Sequence, residues 1–319
     1  MATQLQEHSA PSDALIHDLL QSLDNLFGLH PGFRAVHAKG VMCHGTFTPS
    51  PQAPQLTRAA HMARPSTRII VRLSDFAGVP VIPDNAPEGA GPRGFGIRFY
   101  LADHIHTDIV GHSIDAFPVR TGEEFLQFAR AIAASGPNVP HPNPIESFLG
   151  THPAALRFVQ APKPFPTSFA RENFFAVSAF HFTNAAGDTR FGRYRIIPQA
   201  GTEYLTADEA AKKSPNYLMD ELTQRIAKSP VKFRIAVQLA RPGDITSDST
   251  IPWPADREMM DLGTVTLTER ADDSDPELHK IILDPRPGVD GIEASDDPLF
   301  ELRAAIYILS GRRRRAAAM

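Results

Sequence analysis

The sequence predicts an α+β fold in which a closed, antiparallel β-barrel is surrounded by peripheral helices. Short runs rich in Val, Ile and Phe, broken by Gly and Pro clusters, recur through the 319-residue chain and are typical of strands. In its N-terminal part no helix-length segment separates them, as βαβ units would require, so we expect a largely antiparallel sheet. No internal repeat divides the chain, which indicates a single domain over residues 1–319.

The composition argues against several classes of protein. Hydrophobic residues make up 42% and charged residues 21% of the chain, and the net charge is −4, which gives no reason to expect a nucleic-acid or membrane partner. No apolar run reaches membrane-spanning length, and the polar N-terminus does not resemble a signal peptide. The single cysteine, Cys43, allows no internal disulfide, so we expect a reducing compartment and a cytoplasmic location.

The segment 1–30 is expected to contain an amphipathic helix that packs on the barrel. Ser12 and Asp13 are suitable N-cap residues, and Gly28 is a typical residue at a helix end. Between them, apolar side chains recur with helical spacing at Leu15, Ile16, Leu19, Leu20, Leu23, Leu26 and Phe27.

The segment 31–315 is expected to form the barrel and a final helix. Its first half predicts strands at 34–47, 68–73, 95–101 and 108–117, a helix at 122–134, a loop at 137–144 and an irregular helix at 145–160. Its second half predicts a linker at 161–166, a hairpin of 174–183 and 189–197 around the turn 184–188, a broken helical pair at 206–228, and strands at 231–240 and 263–268. An extended segment at 281–298 leads to the final helix.

The final helix carries the first candidate site. Its apolar stripe is Leu299, Leu302, Ile306 and Leu309. Arg303 and Tyr307 are four residues apart and are therefore neighbours on one face of this helix. A guanidinium that is always charged favours an ionised phenol, and a phenolate is a hard anionic ligand suited to ferric iron. The alternative is that the two side chains only stack on the helix surface.

The first two predicted strands carry a second group of candidates. If residues 34–47 form a strand, His37 shares its face with Ala35 and Lys39, where a neutral imidazole can shuttle protons near neutral pH. A hydrogen-bonded core histidine is the alternative. Arg72 and Ser74 share a face of the next strand, where they can hold a carboxylate and orient an imidazole, unless Arg72 lies at an exposed edge.

The sequence lacks residues that two other kinds of site, a zinc site and a serine hydrolase site, would need. His104, His106 and His112 have the alternate spacing that suits a zinc site on a strand, but no cysteine or acidic triad completes the ligand set. A serine hydrolase is not indicated, because the chain has no Gly-x-Ser-x-Gly motif.

Taken together, these residues resemble the haem catalase family, from about residue 34 to about residue 314. The resemblance lies in six segments that follow the family's order. They are residues 34–40 (Arg-Ala-Val-His-Ala-Lys-Gly), 71–74 (Val-Arg-Leu-Ser), 92–100 (Pro-Arg-Gly-Phe-Gly-Ile-Arg-Phe-Tyr), 184–188 (Asn-Ala-Ala-Gly-Asp), 283–297 (Leu-Asp-Pro and then Gly-Ile-Glu-Ala-Ser-Asp-Asp) and 303–307 (Arg-x-x-x-Tyr).

The resemblance implies a role for each matched residue. His37 is the distal acid and base, and Ser74 is the hydroxyl that steadies its ring. Tyr307 is the axial ligand of the haem iron, and Arg303 keeps it ionised. The further haem-binding residues that the resemblance implies are Arg34, Arg72 and Arg314 for the propionates, with Val36 before the distal histidine and Phe125 against the haem face.

The chain also departs from the family pattern. Where the family has a distal asparagine, the segment 111–115 places His112, which we therefore count among the catalytic candidates. The N-terminal arm and C-terminal extensions of full-length catalases are not found in the sequence, a pattern similar to the small catalase-related peroxidases. The resemblance then implies haem b, hydrogen peroxide or an organic hydroperoxide as substrate, a small organic electron donor, weak catalase activity and a homodimer.

The sequence is also compatible with two alternative functions. One is a fatty-acid hydroperoxide isomerase of the allene oxide synthase type, although that relative typically has Thr where this chain has Val36. The other is a haem-binding protein without turnover. A high-spin ferric spectrum that changes rapidly on adding peroxide separates an enzyme from a carrier.

Overall fold

An antiparallel barrel of eight strands forms the centre of the fold in the computed structural model, which describes residues 10–87 and 90–317. The strands are β1 (Gly40–Pro49), β2 (Thr67–Ser74), β3 (Gly94–Ala102), β4 (Ile105–His112), β5 (Phe165–Pro166), β6 (Phe174–Phe175), β7 (Phe180–Thr183), β8 (Thr189–Pro198), β9 (Tyr204–Leu205), β10 (Val231–Leu239), β11 (Met259–Arg270) and β12 (Ile292–Ala294). The order around the barrel is β10-β11-β1-β2-β3-β4-β6-β8, and β8 pairs back to β10. The predicted closed barrel is confirmed.

The helices lie outside the barrel, as predicted. They are α1 (Asp13–Phe27), α2 (Ala53–Leu56), α3 (Ala60–Ala63), α4 (Gly122–Ala133), α5 (Pro144–Thr151), α6 (Pro153–Gln160), α7 (Ala207–Ala211), α8 (Tyr217–Lys228), α9 (Pro276–Lys280) and α10 (Leu299–Ala317). Ser12 Oγ accepts the Leu15 N–H at 3.2 Å and Gly28 ends α1 at φ +84°, so both predicted caps are present. Among the described residues, no helix has the length and apolar character needed to span a membrane.

The predicted first strand is wrong over residues 34–39, because β1 begins only at Gly40. His37 lies at φ +57°, in the left-handed region, and therefore does not share a strand face with Ala35 and Lys39. The reason is its pairing: the His37 N–H donates to the Phe76 carbonyl at 2.6 Å, in the loop after β2, rather than to a neighbouring strand.

Other elements also differ from the predictions. The predicted strand 174–183 is two strands, β6 and β7, with a break at 176–179, and the strand predicted at 263–268 extends over Met259–Arg270. β4 ends at His112 instead of residue 117. The Ser113 N–H still donates to the Arg93 carbonyl at 2.9 Å, but the Arg93 N–H donates to Ser113 Oγ at 2.9 Å instead of to the Ser113 carbonyl, so the ladder stops there. The irregular helix at 145–160 is two helices that meet at His152, where Pro153 begins the second one. The short helices α2, α3 and α9 were not predicted. Residues 1–9 and 318–319 of the predicted domain lie outside the described residues.

Two hydrophobic clusters determine where the elements lie. The barrel interior is filled by alternate strand residues, including Phe95, Ile97 and Phe99 on β3. A second cluster joins α1, α4 and α10 outside the barrel, and its fully buried members are Ile16, Leu19, Leu126, Leu299, Leu302 and Ile306. The final helix is thereby held against the body of the protein by one face.

His61 on α3 leads to a prediction about the pH dependence of stability. Its ring is 1% exposed and lies 4.7 Å from the Phe99 ring centroid, and burial, aided by Arg64, lowers its pKa to about 4. An unfolded histidine has a pKa of about 6.5. Between about pH 6.5 and about pH 4 the unfolded chain therefore binds a proton at His61 that the folded chain does not bind. The free energy of unfolding falls as the pH is lowered through this range. His61→Phe should reduce the difference in the free energy of unfolding between pH 7 and pH 5 by on the order of 2 kcal/mol. Urea unfolding at both pH values measures this, and an unchanged difference contradicts the prediction.

Candidate functional site

A cavity lies between the outer face of the barrel and helix α10. Apolar and charged side chains line it together, as is usual where a protein binds a small ligand or cofactor. Seven of the residues singled out in the sequence line it, although they come from distant parts of the chain: Arg34, Val36, His37, Arg72, Ser74, Tyr307 and Arg314.

The strand register explains the barrel side of this cavity. Ser74 on β2 pairs with Gly94 on β3, and Gly94 pairs in turn with His112 on β4, so the three share one row on one face. Arg72 and Gly96 belong to the next row of the same face. A Cβ on Gly94 would lie 2.7 Å from His37 Nδ1, so the missing side chain at this position makes room for the imidazole.

The hydrogen bonds of His37 identify its tautomer. His37 Nδ1 lies 2.8 Å from the Asp75 carbonyl oxygen, which can only accept, so Nδ1 carries the proton. Ser74 Oγ lies 3.2 Å from the same nitrogen, and the Phe76 ring packs edge-on at 5.6 Å between centroids. Nε2 therefore has a free lone pair and can accept a proton.

The electrostatic surroundings keep His37 neutral. Burial and the positive charges of Arg72, Arg34 and Arg303 together lower its pKa to about 4, although the Asp75 hydrogen bond acts to raise it. At neutral pH the ring is accordingly a base rather than an imidazolium.

Three guanidinium groups, those of the buried Arg72 and Arg314 and of the half-buried Arg34, give the cavity a strong positive charge. Arg34 donates to the Ile281 carbonyl at 3.2 Å, Arg72 to the Ala38 carbonyl at 3.1 Å, and Arg314 to the His279 and Ile281 carbonyls at 2.8 and 2.9 Å. Within residues 10–87 and 90–317, none of the three pairs with a carboxylate. Burial and mutual repulsion lower the pKa of Arg72 to about 10 and that of Arg34 well below its usual value. Buried cations without partners suit a ligand with carboxylate groups.

Helix α10 forms the opposite wall of the cavity. Ile306, Tyr307, Ser310 and Arg314 line it, and their steps of one, three and four residues place them along one side of a helix. Tyr307 is half-buried, and the Arg303 guanidinium carbon lies 5.9 Å from its ring centroid. The helix that packs on α1 and α4 thus presents a phenol and a cation to the same space.

Three of the predicted site residues do not line the cavity. Arg303 lies behind Tyr307, and Phe125 on α4 packs on Phe117 at 5.6 Å between ring centroids, in the cluster that also contacts Tyr307. His112 lies beside Gly94 in the barrel wall.

The His112 ring has the tautomer opposite to that of His37. The Ile114 N–H donates to His112 Nδ1 at 3.3 Å, which places the proton on Nε2. This Nε2 is buried without a hydrogen-bond partner among the described residues. Burial, the charge of Arg303 and the neighbouring His37, which repels it when both are protonated, lower the pKa of His112 to about 3, so it stays a neutral donor.

Sequence reasoning missed part of the cavity wall. Ile281, Ile282 and Leu283 line it, although the segment 281–298 was predicted only as an extended lead into the final helix. The alternation of Gly94 and Gly96 was the available signal, since two glycines on one strand face indicate that another group lies close to the backbone.

The structure gives no support to a zinc site at His104, His106 and His112. His104 lies in the turn between β3 and β4 at φ +59°, whereas His112 is at the far end of β4. In the described ranges, no group of three or more His, Cys, Asp or Glu side chains is placed to hold a metal ion.

Comparison with known proteins gives a consistent result. The family model described as Catalase matches residues 31–318. A catalase-related peroxidase of Mycolicibacterium paratuberculosis is 34% identical, with 89% of each chain covered, and one of Synechococcus elongatus is 31% identical, over 93% of this chain and 87% of that protein. The crystal structure of a fungal catalase has the same fold, with a TM-score of 0.78 and 23% identity, and covers 98% of this chain and 66% of its own. The chain therefore spans about two thirds of the length of that solved catalase.

Gly94→Ala tests the row that holds His37. The added methyl would lie 2.5 Å from Ser74 Oγ and 2.7 Å from His37 Nδ1, so we expect a loss of about 1–3 kcal/mol of stability through overpacking. Gly150→Ala in α5 is the matched control, since nothing lies within 4 Å of its added methyl. Thermal unfolding measures both, and equal melting temperatures for the two variants contradict the described packing.

Proposed function

The chain belongs to the catalase family, and we propose that it is a haem-dependent peroxidase of the catalase-related type. Its substrates would be hydrogen peroxide or an organic hydroperoxide, reduced with electrons from a small organic donor, and it would have weak catalase activity. One observation carries the proposal: a single cavity is lined by a neutral imidazole with a free Nε2, a tyrosine beside an arginine, and buried guanidiniums without carboxylate partners.

The residues of the cavity suit haem b. Its two carboxylates would supply the anionic partners that Arg34, Arg72 and Arg314 do not find within the described protein. Gly94 makes room for the His37 imidazole and Gly96 for the Leu283 side chain, so both side chains can pack on the barrel wall and line the cavity. The proposed iron ligand is Tyr307, with Arg303 stabilising a negatively charged phenolate.

Val36 and Phe125 are both proposed haem contacts, and different observations support each of them. Val36 lines the cavity and stays a proposed contact of the haem face. Phe125 belongs to the side-chain cluster behind Tyr307, so its proposed contribution is to support that residue from α4 as well as the haem. When bound, haem supplies the electrons that cleave the O–O bond of peroxide.

The proposed task of His37 is to move one proton across the peroxide. Its Nε2 takes the proton from one oxygen and returns it to the other, which then leaves as water. The Asp75 carbonyl and Ser74 Oγ keep Nδ1 protonated and the ring oriented during both transfers. His112 stays a proposed catalytic residue because its buried Nε2–H has no partner among the described residues and is a neutral donor, as an amide would be; since His112 does not line the cavity, this role requires its ring to turn toward the peroxide.

The oligomeric state, the location and the electron donor are proposed in less detail. A homodimer and a cytoplasmic location follow from the resemblance and from the single cysteine, which is buried and free. The donor is proposed only as a small organic molecule.

Tyr307→Phe tests the ligand assignment. Without the phenol oxygen, the purified protein should lose haem, or should retain it without a tyrosinate spectrum, as measured by absorption spectroscopy and haem content. Tyr204→Phe is the control, because Tyr204 is 41% exposed and bonds Glu172, which does not line the cavity. If Tyr307→Phe binds haem with an unchanged spectrum, Tyr307 is not the ligand.

His37→Ala tests the activity. It should still bind haem but consume peroxide roughly 10²–10⁴-fold more slowly, the usual loss for a positioned acid or base. For the wild type, the rate should fall as the pH is lowered toward 4, because the imidazolium form of His37 cannot accept a proton. Steady-state rates of donor oxidation and of oxygen release, measured side by side, give the balance of peroxidase and catalase activity. A wild-type protein that binds haem but does not react with peroxide would be a carrier and not an enzyme.

A further inference from the structure

Four charged side chains are buried together beside the His37 segment and have no part in the chemistry proposed so far. Asp75 and Asp84 expose none of their side chains, and Lys39 and Arg93 expose no more than 10%. Lys39 Nζ lies 2.5 Å from Asp84 Oδ1, and Arg93 forms an ion pair with Asp75. Two basic and two acidic side chains therefore meet in this ion cluster, where burial and the neighbouring Asp84 raise the pKa of Asp75 to about 7 although Arg93 acts to lower it.

Further hydrogen bonds tie the ion cluster to the surrounding loops. Arg93 also donates to the Asp84 carbonyl at 2.5 Å, so its planar guanidinium joins both carboxylate residues. Asp84 Oδ2 accepts the Leu218 N–H of α8 at 2.7 Å, and Lys39 Nζ donates to the Pro215 carbonyl at 2.8 Å. The ion cluster is thus fixed to α8 as well as to the strand ends.

The backbone of Asp75 connects the ion cluster to His37. Its carbonyl accepts the proton of His37 Nδ1 at 2.8 Å, and its N–H donates to the Lys39 carbonyl at 3.1 Å. A single residue therefore carries an ion-paired side chain, the acceptor that determines the His37 tautomer, and a bond to the residue two positions after His37.

Arg93 connects the same ion cluster to the His112 side of the cavity. It directly precedes Gly94, over which the His37 ring lies, and its N–H donates to Ser113 Oγ at 2.9 Å. The Ser113 N–H returns a bond to the Arg93 carbonyl at 2.9 Å. The end of β4, where His112 lies, is thereby held against the start of β3.

His37 needs such external support. A residue with a Cβ rarely adopts φ +57°, and it persists there only where the surroundings leave no alternative. Buried ion pairs contribute little net stability, but they restrict geometry, because removing one partner leaves the other charge unpaired.

We propose that Asp75 and Arg93 are positioning residues, whose ion pair holds the loop after β2 so that His37 Nε2 faces the cavity. The inference rests on the proposed function for its effect on rate, but the position of His37 can be measured separately. The ion pair acts through the Asp75 backbone, and neither Asp75 nor Arg93 lines the cavity.

Asp75→Asn tests the proposal, because it keeps the shape and the backbone carbonyl but leaves Arg93 without its carboxylate. In the full chain with its cofactor, we expect peroxide consumption per bound haem to fall about 10- to 100-fold, with unchanged haem content and an unchanged KM for the donor. A crystal structure of the variant should show His37 away from φ +57° and its Nδ1 no longer 2.8 Å from the Asp75 carbonyl.

Two further variants make the test decisive. Arg93→Lys keeps the charge, but a lysine cannot reach both Asp75 and the Asp84 carbonyl, so we expect a smaller loss of peroxide consumption per bound haem. This variant replaces Asp75→Asn as the test if Asp75→Asn does not fold. Asp244→Asn is the matched control, since Asp244 is also a largely buried partner of an arginine, Arg257 at 2.8 Å, but lies far along the chain from the cavity residues. It should affect stability alone.

The outcomes separate the two proposals. An unmoved His37 in Asp75→Asn and in Arg93→Lys overturns the positioning role, whatever the rates. A displaced His37 in a protein whose wild type ignores peroxide supports the positioning role and refutes the proposed function. Equal losses of rate per haem in Asp75→Asn and Asp244→Asn also overturn the positioning role, because the effect would then be general.

Discussion

The hydrogen bond from His37 Nδ1–H to the Asp75 carbonyl is the interaction on which the candidate site depends. It leaves the lone pair on Nε2, and burial together with Arg72 keeps the ring neutral. The bond is possible only because His37 takes a left-handed backbone and because Gly94 leaves its position in the barrel wall free of a side chain. Tautomer, charge and orientation are therefore consequences of one local arrangement at the ends of β2 and β3.

The cavity is electrostatically incomplete without an anion. Arg34, Arg72 and Arg314 lie close together, so that the charge of Arg314 helps burial to lower the pKa of the other two, and the described protein offers the three guanidiniums only backbone carbonyls as acceptors. An anionic ligand that binds the folded state alone would remove this repulsion and would stabilise the fold by mass action. Two of the charges that favour a carboxylate-bearing cofactor, those of Arg72 and Arg34, also help burial to keep His37 unprotonated, so cofactor binding and the acid–base chemistry of His37 depend partly on the same arginines.

Elements that depend on residues close in sequence were predicted more accurately than segments that depend on distant residues. The caps of α1 and the apolar runs that form β2 and β3 are set by neighbouring residues in the chain. The sequence predicted these elements closely. Residues 34–39 look like a continuation of β1, yet their backbone bonds go to residues 75–77, a partner that no local pattern reveals. The contribution of Ile281, Ile282 and Leu283 to the cavity was missed for a similar reason, since it depends on where the lead into α10 crosses the barrel.

The sequence by itself determined the barrel class, the positions of most elements and the residue types that could act, because periodicity, capping and motif order are written along the chain. Helical spacing was sufficient to place Arg303 beside Tyr307. Only the tertiary structure decided that His37 lies in the left-handed region, that His112 is in the wall beside it, and that the Lys39, Asp75, Asp84 and Arg93 ion cluster lies next to both. These features arise where the ends of four strands meet, and a contact between distant segments is set by barrel closure, not by the residues on either side of it.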